Sequence, residues 1–140
     1  MTTQRQVASG HTWPRPRRVL LVDDDPNDQG SLKALFTVWQ WDVLEASSGR
    51  EALDILDRHA IDVVLVDVAP QGVDCAEFVD AARQRIRDLP VVIMGALMTP
   101  ELRRAWRSRG VMECLTKPVE PQTLSALLFA CVPPSGFADS

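Results

Sequence analysis

The chain lacks any apolar run approaching the roughly 18 residues that a membrane-spanning helix requires, so membrane insertion is not expected. Its N-terminal arginines are not followed by an apolar stretch and a small-residue cleavage pattern. No secretory signal is read, and the cytoplasm is the expected location. Cysteine is scarce: Cys75, Cys114 and Cys131 are odd in number and show no paired metal spacing. Neither a disulfide framework nor a zinc site is indicated, and reduced, packed thiols are expected. Acids are missing from the first 18 residues, which hold Arg5, Arg15, Arg17 and Arg18. With a formal net charge of −4 overall, the rest of the chain is about twice as acidic as the total suggests. That balance argues against a nucleic-acid partner. Internal repeats and low-complexity segments are absent as well.

What is present fits one domain: 140 residues, 46% of them hydrophobic, are enough for a core without staples. The central stretch runs from Ile61 to Pro70, where apolar Val63 to Val66 stop on the carboxylate of Asp67. A β-branched run closed by an acid and a proline predicts a parallel strand buried on both faces, with Asp67 delivered to the sheet edge. Open α/β sheets keep their chemistry at that edge. Val19 to Val22 have the same build and run into Asp23, Asp24 and Asp25.

Between and beyond these strands the pattern alternates. Asp25, Pro26 and Asp28 predict a helix start, with Leu32, Leu35, Phe36 and Trp39 as its core face. A short strand over Asp42 to Ala46 follows. Ser48 and Glu51 form a capping box that opens a second helix, whose sheet-facing side is Leu53, Leu56 and Ala60. Pro70, Gly72 and Asp74 are turn chemistry after the central strand. Phe78, Val79, Ala82 and Ile86 mark a third helix. Pro90 introduces a fourth strand that stops at Gly95. Thr99 and Pro100 then cap a helix containing Leu102, Ala105 and Trp106 and ending at Gly110. Val111 to Thr116 is the last strand, Lys117 and Pro118 close it, and Pro121 to Cys131 is the last helix, with Leu124, Leu127 and Leu128 inward. Five strands alternating with five helices at short connections predict an α/β fold, a parallel sheet covered on both faces.

This arrangement gathers Asp23, Asp24, Asp67 and Lys117 at the C-terminal ends of the first, third and fifth strands. Crowded carboxylates are pushed toward protonation unless a cation sits among them, and Mg²⁺ is the hard, oxygen-seeking candidate. One carboxylate can then act as a nucleophile toward phosphorus, with Lys117 as a mobile point charge for a phosphoryl oxygen.

Four motifs, LLVDDDP at 20–26, SSGREAL at 47–53, DVVLVD at 62–67 and LTKP at 115–118, closely resemble the receiver domain of two-component response regulators over about residues 18–131. The resemblance implies a flavodoxin-like, doubly wound sheet of order 2-1-3-4-5. The polar residues 1–18, with Gly10, Pro14 and Pro16 and no periodicity, are expected to be a flexible leader, followed by a receiver domain over 19–131 and a tail over 132–140. The resemblance makes Asp67 the phosphoacceptor, Lys117 the phosphoryl contact and the Ala96 backbone a further phosphoryl contact. Asp24, Asp67 and the backbone carbonyl of Ala69 would hold Mg²⁺, with Asp23 helping through water, and the Lys117–Pro118 bond would be cis.

Departures from the family pattern carry their own expectations. Gly95 stands where the family has Ser or Thr, and Cys114 where it has Tyr or Phe, so both moving parts of the usual switch are missing. Pro70 comes one position early, and Cys75 replaces a glycine. Ala69 and Leu97, at positions that tune dephosphorylation, cannot orient water, so only slow autodephosphorylation is expected and no substrate turnover. The fourth helix carries Arg103, Arg104, Arg107 and Arg109 around Trp106, either as a solvated face or as a docking surface for an acidic partner.

The function expected from these features is that of a single-domain response regulator. It would take its phosphoryl group from a sensor histidine kinase or histidine phosphotransfer protein. A downstream partner would dock on the face of the fourth helix, fifth strand and fifth helix, and the chain would be a monomer or weak homodimer. The main rival is a degenerate receiver that docks a partner without phosphorylation; a phosphohydrolase is a third and weaker alternative.

Overall fold

The computed structural model describes residues 15–23, 30–68 and 74–132. Ten elements alternate along them: β1 (Arg18–Val22), α1 (Gly30–Val38), β2 (Asp42–Ala46), α2 (Gly49–Arg58), β3 (Val63–Val68), α3 (Asp74–Arg85), β4 (Val91–Gly95), α4 (Pro100–Ser108), β5 (Glu113–Thr116) and α5 (Pro121–Cys131). The strands form one parallel sheet in the order β2-β1-β3-β4-β5, the flavodoxin-like order expected. No described helix is long and apolar enough to cross a membrane.

Strand parity divides the core in two. Leu20, Val22, Val64, Val66, Val91 and Ile93 meet α2 and α3, together with Trp106 of α4. Val19, Leu21, Val63, Leu65, Val92 and Met94 meet α1 and α5. The strands read as continuous apolar runs because both faces are covered. On the α1 side, Phe36 is fully buried and packs edge-on against Trp39 and Trp41, at centroid distances of 5.4 and 5.3 Å.

The helix ends follow local chemistry. Ser48 Oγ accepts from Glu51 N at 3.1 Å, but Glu51 reaches back to Ser47 N (2.8 Å) and Ser47 Oγ (3.0 Å), so the box is shifted by one residue on its return arm. Thr99 caps α4 through Leu102 N at 3.1 Å, with Pro100 in the first turn. Beyond the C-cap of α4, Gly110 takes φ 95°, a left-handed conformation that favours glycine.

Two expectations are corrected. Ala60 does not face the sheet: α2 ends at Arg58, His59 is extended, Ala60 is exposed, and Ala52 is the buried partner of Leu56. The last strand begins at Glu113 rather than Val111, because Val111 N still bonds Trp106 O in the α4 cap. The helix start expected at Asp25, Pro26 and Asp28 and the turn at Pro70 and Gly72 lie outside the described residues.

At the opposite edge of the sheet from the strand-end acids, Asp62 gathers the chain that enters β1. It accepts from Arg15 at 2.8 and 3.2 Å and from Arg18 N at 2.7 Å, while Arg17 lies over Trp41 with Cζ 5.0 Å from the ring centroid.

Candidate functional site

Two neighbouring strands deliver carboxylates to the same edge. Val22 is in register with Val66, so Asp23 and Asp67 each stand one residue further along adjacent parallel strands. Asp23 is 6% exposed, and its backbone N–H donates to Ala46 O at 3.0 Å, which fixes the chain as it leaves β1. The Asp67 side chain is only 10% exposed.

The fifth strand supplies the countercharge. Lys117 Nζ donates to Asp67 Oδ2 at 2.5 Å, while Lys117 N donates to Gly95 O at 2.8 Å. Backbone pairing thus fixes the root of Lys117 and leaves its ammonium on a flexible stem. The Lys117–Pro118 bond is cis, as expected. Asp24 and Ala69 lie outside the described residues; among the described residues no group of three or more His, Cys, Asp or Glu is placed to hold a metal.

Gly95 ends β4, buried and in register with both Val68 and Thr116. A Cβ built there would stand 3.2 Å from the terminal methyl of Met98, so that methyl occupies the space beside the strand end. Ala96 and Leu97 follow and are exposed, Leu97 by 73%. Cys114, on β5, is 1% exposed. Burial pushes its thiol pKa up; nearby Arg103 and Arg107 lower it and Glu113 raises it further.

The basic positions of α4 separate. Arg103 Nη1 donates to the Cys114 carbonyl at 2.6 Å and Nη2 to Thr116 Oγ1 at 3.2 Å. Arg107 pairs with Glu113 at 2.6 Å, and Arg109 with Asp80 of α3 at 2.6 Å. Trp106 packs against the core, whereas Arg104 is exposed. The inward role of Arg103 was not foreseen. Its only sequence signal is the spacing Thr99, Arg103, Trp106, Gly110, which follows one helix face but contains little that is apolar.

Comparison with known proteins agrees with this geometry. The family model described as the response regulator receiver domain matches residues 19–129. Protein PilH of Pseudomonas aeruginosa is 32% identical over 113 residues, covering 76% of this chain and 90% of that protein. The transcriptional regulatory protein GlrR of Escherichia coli (strain K12) is 32% identical over 110 residues, 79% of this chain, but the match spans only 25% of that longer protein. Among solved structures, Vibrio cholerae chemotaxis protein CheY4 superposes with a TM-score of 0.77 at 27% identity, covering 84% of this chain and 99% of that one. A sheet of order 2-1-3-4-5 ending in Asp23, Asp67 and Lys117, joined to a family match across most of its length, establishes that this chain belongs to the receiver-domain family of two-component response regulators.

Proposed function

We propose that the chain accepts a phosphoryl group on Asp67 from the phosphohistidine of a sensor histidine kinase or histidine phosphotransfer protein. The observation that carries this reading is the Lys117 ammonium 2.5 Å from Oδ2 of Asp67, a carboxylate only 10% exposed on the strand adjacent to the one that Asp23 follows. An Asp67 carboxylate oxygen attacks phosphorus, forming an O–P bond as the donor's N–P bond breaks. The departing imidazole keeps the bonding pair, and its protonation state is balanced by solvent. Lys117 moves with the incoming charge and meets a phosphoryl oxygen. Phosphoryl transfer of this kind depends mainly on positioning and charge stabilisation.

The donor set suits Mg²⁺: Asp23 and Asp67 offer hard carboxylate oxygens from adjacent strand ends, and Asp24 and the Ala69 carbonyl follow those strands in sequence. These four residues would hold the ion, which when bound supplies positive charge against the carboxylates and the phosphoryl oxygens.

The receiver unit is taken as residues 19–131, with a leader over 1–18 and a tail over 132–140, acting in the cytoplasm. Its output face is α4, β5 and α5; of the α4 positions Arg103, Arg104, Trp106 and Arg107, the second and last are exposed, whereas Arg103 turns to β5 and Trp106 packs on the core. Signalling there proceeds without the family's usual hydroxyl and aromatic pair, because Gly95 and Cys114 hold those positions. One observation favours the rival reading of a phosphorylation-independent docking module: the Met98 methyl fills the space beside Gly95, where a switching hydroxyl would work.

Intact mass after incubation with phosphoramidate and Mg²⁺ separates the two. The expected outcome is a gain of one phosphoryl group by the wild type, lost on chelation of Mg²⁺ and absent in Asp67→Asn. No gain by the wild type would assign the chain to docking alone.

A further inference from the structure

Lys117 and Arg103 act on the same short piece of chain from opposite sides. Lys117 ties the end of β5 to Asp67, and Arg103 ties α4 to the two acceptors just before it, the Cys114 carbonyl at 2.6 Å and Thr116 Oγ1 at 3.2 Å. Arg103 is half-buried on a helix that buries no residue fully; its other ties are the core packing of Trp106 and the exposed Arg107–Glu113 ion pair, and only Arg103 reaches the β5 backbone and Thr116 together. The guanidinium fork is rigid and matches two acceptors at once, which a lysine cannot do. The Cys114 whose carbonyl it holds has a buried side chain, 1% exposed.

We infer that Arg103 is a positioning residue, a latch that holds α4 on β5 in the unphosphorylated state and passes the state of Asp67 to the α4 face. The inference rests on the reading of Asp67 as phosphoacceptor. When Lys117 leaves the carboxylate for a phosphoryl oxygen, the β5 terminus loses its tie to Asp67 and keeps only the Lys117 N–Gly95 O bond, so Thr116 beside it is less restrained. The longer of the two Arg103 bonds, that to Thr116, is the first to weaken. Coupling of this kind is reciprocal: if phosphorylation loosens the latch, loosening the latch favours phosphorylation. Neither a side chain at 95 nor an aromatic ring at 114 is required.

The full chain is tested as wild type, Arg103→Ala, Arg103→Lys, Thr116→Val and, as an exposed control on the same helix, Arg104→Ala. Circular dichroism checks that each is folded. Phosphoramidate with Mg²⁺ supplies the phosphoryl group, intact mass reports its gain, and alkylation of Cys114 by iodoacetamide, read at the peptide level, reports opening between α4 and β5. In the wild type, phosphorylation should speed Cys114 alkylation by about fivefold or more, the lower end of typical coupling. Arg103→Ala should alkylate fast from the start, by about the same fivefold, and show no further step on phosphorylation. Thr116→Val should move the same way by less, Arg103→Lys should restore only part of the step, and Arg104→Ala should match wild type. A phosphorylated wild type with unchanged Cys114 reactivity overturns the inference alone. So does a full phosphorylation-dependent step retained in both Arg103→Ala and Thr116→Val. A wild type that gains no phosphoryl group overturns the reading of Asp67 and the inference with it.

Discussion

At position 95 the strand offers only backbone, and the Met98 methyl lies 3.2 Å from where a Cβ would stand. That neighbour is the far end of an unbranched, adaptable side chain, so a single added carbon can be absorbed. Gly95→Ala should therefore change stability by less than about 1 kcal/mol, with the gain in strand propensity offsetting the displaced methyl. Gly95→Thr adds branching in a buried site and should cost about 1–3 kcal/mol. Met98→Ala in the same chain should relieve most of that cost, as read from urea midpoints; an equal cost in both backgrounds would mean that Met98 is not the obstacle. Residues of this kind divide sharply in how legible they are. Asp67 can be read because an acid directly after Val63 to Val66 has no other place to go than the sheet edge. Arg103 cannot, since apolar periodicity is blind to an arginine whose inward contacts are all polar.

Elements are set by their ends more than by their middles. In α2 the Ser48 hydroxyl satisfies Glu51 N, while the Glu51 carboxylate accepts from Ser47 N and Oγ. Ser48→Ala should lower stability by about 1 kcal/mol, the usual worth of an N-cap, measured by thermal or urea unfolding. The same contacts hold the Glu51 pKa below its ordinary value, the backbone bond from Ser47 first and the Ser47 hydroxyl second. A carboxylate depressed in the folded state contributes stability above its unfolded pKa and loses it as pH falls through the folded one. The loss on Ser47→Ala should accordingly be larger at neutral pH than in acid below the carboxylate range, and a pH-independent loss would remove Glu51 from the account. Sequence located both ends of α4 and the start of α2, because caps and Pro100 are chemically explicit. It overran α2 to Ala60 and began β5 two residues early. In those places the boundary depends on backbone hydrogen bonds that no residue type announces: His59 N closes α2 on Ile55 O, and Val111 N bonds Trp106 O.

Across the whole molecule a single sheet separates two cores, and its strands contribute to both by parity. Sequence conveys that the strands are buried on both sides but not which residue faces which helices, since Val19 to Val22 and Val63 to Val66 show no polar alternation to reveal the pleat. Leu65 points toward α1 and α5 and Val64 toward α2 and α3, each fully buried. If the halves were independent, a cavity on one side would melt that side alone. The hydrogen-bonded sheet argues otherwise, because β1, β3 and β4 line both cores and cannot lose one packing surface while keeping the other intact. Leu65→Ala should cost about 2–5 kcal/mol, as a large-to-small change in a packed core does. It should lower the urea midpoint without altering the slope, leaving one transition in which backbone circular dichroism and tryptophan fluorescence coincide. The fluorescence is informative because Trp39 and Trp41 belong to the α1–α5 side and Trp106 to the other. Single-tryptophan variants retaining either Trp41 or Trp106 should therefore report the same midpoint. Two separated midpoints would mean that the faces unfold independently and that a change at Asp67 need not be felt on both sides of the sheet.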